Sequence, residues 1–173
     1  HDVNTEFTNS GIIKIGNLSN VKKSGIFVIS SSKFINNSTG QIEINRIANE
    51  DGIVITDAGS TFTNHGNIQL GNAYSIQRHG LQIVNSGIVN NVAGGIINID
   101  RCLDRGLWIG DANSKLENSG TISLGNNAAS NFGQGLYMYG GSQVRNYSTG
   151  ILEINRFVSQ GILVSGASTV FTN

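Results

Sequence analysis

Short runs of aliphatic residues spaced two apart recur along the whole chain, each bounded by glycine or asparagine. One set opens on glycine: Gly25-Ile26-Phe27-Val28, Gly52-Ile53-Val54-Ile55, Gly80-Leu81-Gln82-Ile83, Gly106-Leu107-Trp108-Ile109, Gly135-Leu136-Tyr137-Met138 and Gly161-Ile162-Leu163-Val164. A second set is Ile13-Lys14-Ile15, Ile42-Glu43-Ile44, Ile68-Gln69-Leu70, Ile97-Asn98-Ile99, Ile122-Ser123-Leu124 and Leu152-Glu153-Ile154. A third is a hydrophobic-x-asparagine piece ending at Asn9, Asn36, Asn64, Asn91, Asn118, Asn146 and Asn173. Alternate residues of a strand face opposite sides, so each aliphatic pair shares one face and the residue between points outward. Period-2 alternation throughout, with no stretch of helical period, predicts strands and no helices.

The asparagines recur every 27 or 28 residues from end to end. A fixed period in this range marks a stacked-repeat architecture. Three strands per repeat predict an all-β parallel solenoid of about six coils of 27–28 residues, with each strand paired to its equivalent in the next coil. Two coil types alternate. Asn9–Asn17, Asn64–Asn72 and Asn118–Asn126 read Asn-x-Gly-x-hydrophobic-x-hydrophobic-Gly-Asn; Asn36–Arg46, Asn91–Arg101 and Asn146–Arg156 carry two more residues and end in arginine. The first type recovers its length in longer loops, Gly16–Ser24, Gly71–His79 and Gly125–Gln134, expected as bulges along one edge. Residues 1–173 read as one β-helix domain, a segment of a longer protein whose flanking repeats would cover the open ends.

Composition narrows the function. Eleven basic and eleven acidic residues leave no net charge, which argues against a nucleic-acid face and against an anionic membrane surface. No apolar run is long enough to enter a bilayer as a helix. Charged residues make up only 13%, while 23 glycines and no proline suit many tight turns. Cys102 is the sole cysteine, so no internal disulfide forms; beside Leu103 it reads as a half-buried packing residue.

At Asn9-Ser10-Gly11-Ile12-Ile13 and Asn118-Ser119-Gly120-Thr121-Ile122, the chain resembles the right-handed β-helix passengers of bacterial autotransporters and filamentous-haemagglutinin-like adhesins, within the pectin-lyase-like superfamily. The resemblance spans nearly the whole chain. It implies a right-handed parallel β-helix, secretion or display on a bacterial surface, and contact with glycan or a host or cell-surface protein. It also implies an internal asparagine ladder. No cofactor is implied, and β-helices of this kind include adhesins, polysaccharide lyases, glycoside hydrolases and inert stalks alike.

Arg46, Arg101 and Arg156, 55 apart, could line up against repeating anions, but capping of loop carbonyls or pairing with Glu50 or Asp104 is the simpler role. Asp57 and Asp111 occupy equivalent positions two coils apart, and with Asp100, Asp104 and Arg101 form the catalytic pool if the chain is a polysaccharide-cleaving enzyme. Asp-Ala-Gly-Ser and Asp-Ala-Asn-Ser also suit turns, and the third equivalent is Gly166. His1, His65 and His79 show no metal-ligand spacing. No strand column is rich in threonine, as an ice-binding solenoid would require. The outward column Phe27, Val54, Gln82, Trp108, Tyr137 and Leu163, with Tyr139 two residues beyond Tyr137, places aromatic rings on a surface. Trp108, Tyr137 and Tyr139 are therefore the candidate ligand-binding residues of a non-catalytic binding β-helix.

Overall fold

The computed structural model describes residues 4–127 and 133–173. His1 and the middle of the third loop lie outside these. The described residues form nineteen strands and no helix. They make three parallel sheets of seven, six and six strands, stacked as a β-solenoid of about six turns. Each coil runs through an asparagine strand such as Thr61–Asn64, an aliphatic strand such as Asn67–Leu70 and a glycine-led strand such as Leu81–Ile83. The last type begins earlier in two coils, at Arg105–Ile109 and Gln134–Met138.

Register follows the repeat without a slip. Asn36 pairs with Asn64, Asn64 with Asn91 and Asn91 with Asn118; Ile68 pairs with Ile97, and Ile97 with Ile122. The core consists of these columns, with Ile44, Leu70, Ile99 and Leu124 fully buried along one of them. A one-residue slip would turn every aliphatic side chain outward, so burial itself fixes the register. Phe7, Phe34 and Phe62 extend the packing into a ring column, with centroids 4.9 Å apart at both steps.

The asparagine column is an internal ladder. Nδ2 of each residue donates to Oδ1 of the next coil: Asn9 to Asn36 at 2.8 Å, Asn36 to Asn64 at 2.8 Å, Asn64 to Asn91 at 2.9 Å, Asn91 to Asn118 at 2.8 Å and Asn118 to Asn146 at 2.7 Å. The last step, Asn146 to Asn173, is 2.8 Å. The same Nδ2 groups also reach turn carbonyls, as Asn36 does to Gly40 and Asn64 to Gly66, both at 3.2 Å. A buried amide needs both its donors and its acceptor satisfied, and the one-coil repeat supplies partners on either side.

Two features go beyond the three-strand reading. Val21 bridges Ile47, and Ile76 bridges Cys102, so the first two long loops send a residue inward and add a fourth apolar column. Ile47, Ile76 and Cys102 are at most 1% exposed. Cys102 is thus fully buried, not half-buried, because the loop before it folds over the core. The second feature is the corner leading into the asparagine sheet. Every coil there uses a left-handed residue: Ser30 (φ 60°), Asp57 (76°), Asn85 (50°), Asp111 (69°), Gly140 (65°) and Gly166 (86°). Short polar side chains and glycine tolerate that conformation at low cost.

Candidate functional site

The glycine-led sheet carries the aromatic residues on its outer face. Its inward positions, such as Leu107 and Ile109, are buried, so the intervening Trp108 points out. Trp108 and Tyr137 are in-register neighbours in consecutive coils. Tyr139 lies one coil on from Gly110, and its ring leans back across that glycine, filling the space where a side chain would stand. The lean brings Tyr139 to 6.0 Å from Trp108 and 5.6 Å from Tyr137, with an interplanar angle of 19° in both cases. All three residues are half-buried.

A polar row borders the rings on the N-terminal side of the strands. Arg105 Nη1 donates to Asp104 Oδ2 at 2.9 Å, and Arg105 Nε to Gln134 Oε1 at 2.8 Å. Gln134 Nε2 donates in turn to Gln160 Oε1 at 2.8 Å. The Arg105 guanidinium lies 4.7 Å from the Tyr137 ring centroid and 5.8 Å from that of Trp108. These are cation–π distances. His79 packs edge-on against Trp108 at 4.6 Å. It is 1% exposed, and its Nδ1 has no hydrogen-bond partner; Asp104 Oδ2 stands 3.5 Å away. Burial, with help from Arg105 and Arg78, lowers the His79 pKa to about 3. Asp51, which accepts the His79 backbone N–H at 3.0 Å, is pushed the other way by its own burial.

On the opposite side the Tyr139 phenol is raised, first by burial and then by the Asp111 carboxylate. The outer column is not aromatic along its whole length. Val54, between Phe27 and Gln82, is only 4% exposed, so the exposed Phe27 is cut off from the Trp108 group. Two surface hollows of about 540 Å³ lie elsewhere, one near Phe7 and Phe27 at the first coil and one beside Asn90, Glu117 and Tyr147.

The acids singled out from the sequence are not brought together. Asp57 Oδ2 accepts the Ser30 N–H at 3.4 Å and Asp111 Oδ2 the Asn85 N–H at 3.3 Å, so both cap the turn of the preceding coil. Asp100 is buried and accepts the Asn127 N–H at 2.9 Å. Asp104 belongs to Arg105. The arginine column is occupied by loop carbonyls: Arg101 Nη1 reaches Ala73 O, and Arg156 Nη1 reaches Gly125 O and Asn126 O, both at 3.0 Å. Arg46 lies over the Tyr74 ring at 3.3 Å and reaches Leu18 O at 3.5 Å. Among the described residues no group of three His, Cys, Asp or Glu side chains could hold a metal ion.

Sequence reasoning missed a second polar column at the arginine corner. Asn45 Nδ2 donates to Asn17 Oδ1 at 2.9 Å, while Asn45 Oδ1 accepts the Ala73 and Tyr74 N–H groups. The signal was present in Asn45, Asp100 and Asn155, which recur every 55 residues just before each arginine. His79 was also missed as a packing partner of Trp108, because nothing in its spacing sets it apart. Comparison with family models, curated proteins and solved structures gives no match, so fold and site geometry carry the functional reading.

Proposed function

We propose that this chain is a non-catalytic binding β-helix of the secreted or surface-displayed bacterial adhesin type, contacting glycan through Trp108, Tyr137 and Tyr139. The observation that carries the reading is the ring cluster itself. Three half-exposed aromatic side chains lie nearly parallel on an outer sheet face, and hydrogen-bonding groups flank them. Flat rings stack on the C–H faces of sugars, and flanking polar groups take the hydroxyls. The rigid solenoid beneath lets the rings meet a ligand at little further entropic cost.

The resemblance to autotransporter passengers and filamentous-haemagglutinin-like adhesins supports the same reading, with right-handed coils and a bacterial surface location. The acids of the polysaccharide-cleaving alternative, Asp57, Asp100, Asp104 and Asp111, serve separate structural roles, which favours the binding reading. Binding to a broad glycan panel tests the proposal. The double variant Trp108→Ala with Tyr137→Ala is expected to lose whatever the native chain binds. Unchanged binding in that variant would remove the cluster as the site, and no binding at all would favour a stalk or a protein contact.

A further inference from the structure

We infer that the ring cluster selects an uncharged oligosaccharide, laid along the solenoid axis, and discriminates against glycans bearing carboxylates. The inference rests on the carbohydrate reading above and adds ligand charge and direction.

Direction follows from register. Trp108 and Tyr137 are equivalent residues of adjacent coils, so their backbones succeed one another along the axis at one strand spacing, ~4.8 Å, and both rings meet that of Tyr139. Gln82 precedes this pair and Leu163 follows it in the same column. Tyr139 broadens the platform sideways by crossing Gly110. A saccharide stacked on both central rings must therefore cross the strands and follow the coil axis, as a short chain bounded by Gln82 and Leu163.

Charge follows from what surrounds the rings. Arg105 is the cation in contact with them, and it is held by Asp104 at 2.9 Å and by Gln134 at 2.8 Å. Arg78, the next along that edge, faces Asp51 at 3.7 Å. On the other flank, the Asp111 carboxylate is engaged by the Tyr139 phenol and by the Asn85 backbone N–H, both uncharged donors. A uronate or sialate carboxylate would lose water here, meet no free cation among the described residues at the site, and feel Asp111 as a like charge. An amino sugar would compete with Arg105, which already occupies the cation position over Tyr137. A neutral sugar meets none of these costs.

Trp108 is the only tryptophan, so its fluorescence reports on the site directly. The full chain would be titrated with cellohexaose, maltohexaose, N-acetylchitohexaose, hexagalacturonate and the free-amine chitohexaose. The expected result is binding of at least one neutral oligosaccharide, with affinity constant to within about twofold between ~0.02 and ~0.5 M salt. Tyr137→Ala should weaken it at least about tenfold, while Tyr137→Phe, which keeps the ring, should retain it. Circular dichroism of both variants separates loss of the ring from loss of fold. Exclusive binding of the galacturonate or the amine, sensitive to Tyr137→Ala, would overturn the charge assignment and leave the carbohydrate site standing. Failure of the entire panel would overturn the carbohydrate reading itself. Neutral binding that ignores Tyr137→Ala would overturn the placement.

Discussion

Tyr139 occupies the space that a side chain on Gly110 would fill: a Cβ on that glycine would come within 2.0 Å of the tyrosine Cε1 and 2.4 Å of its Cζ. Gly110 is buried, and its φ is not in the left-handed region, so the glycine is required by its neighbour and not by its own backbone. Gly110→Ala is therefore expected to push Tyr139 out of its stack with Trp108 and to cost roughly 1–3 kcal/mol through overpacking. Adding Tyr139→Ala should recover most of that cost. A double-mutant cycle by chemical denaturation measures the coupling, and independent, additive effects would contradict the packing described.

The asparagine ladder predicts a strong dependence on position. Asn91→Ala strands the Asn118 Oδ1 acceptor inside the core and removes the ladder bond from Asn64 Nδ2, which keeps only its longer contacts to Gly66 O and Ile96 O. The expected loss is roughly 2–4 kcal/mol. Asn9→Ala, at the first coil, removes a single ladder bond and is expected to cost about 1 kcal/mol. Asn91→Asp adds a test of direction. A carboxylate still accepts from Asn64 but cannot donate to Asn118, so it should be at least as damaging as alanine near neutral pH.

His79 ties stability to pH. Its imidazole is neutral in the folded chain down to about pH 3, against an ordinary value of 6.5. Between those limits the unfolded chain binds the extra proton, so His79's contribution is fully present above pH 6.5 and is lost as pH falls towards 3. Asp51 has the opposite sign, since its raised folded pKa favours the folded chain at low pH. Urea denaturation at pH 7 and pH 4.5 should show the native chain losing on the order of 2 kcal/mol more than His79→Gln. Equal losses in the two proteins would show that His79 titrates normally.

Cys102 should behave as a core residue in chemical terms. Burial, reinforced by Asp51 and Asp100, pushes its thiol well above the usual range. An aromatic disulfide reagent is expected to react only at the rate at which the fourth apolar column opens, and faster with rising denaturant. Cys102→Val, matching the aliphatic Ile76 and Ile47 of the same column, should cost less than about 1.5 kcal/mol. Fast labelling of the native chain would mean that the column is not closed.

Much of the architecture is written locally. Aliphatic pairs two apart dictate strands, and an asparagine returning every 27 or 28 residues dictates stacking, because only stacked coils give each buried amide a partner on both sides. The alternation of coil types likewise survives into the structure, where Arg101 and Arg156 close onto loop carbonyls. What the sequence alone could not decide depends on contacts between coils that have no period. Val21 and Ile76 lie in stretches without strand alternation, and only their bridges to Ile47 and Cys102 reveal them as core. Trp108, Tyr137 and Tyr139 were recognisable as outward aromatics. Their nearly parallel arrangement needed the gap at Gly110, the Arg105 guanidinium over Tyr137 and the His79 edge against Trp108, each supplied by a neighbouring coil. Period and face are properties of consecutive residues; the meeting of side chains across coils is decided by tertiary packing, where shape and the need to satisfy buried polar groups select the arrangement.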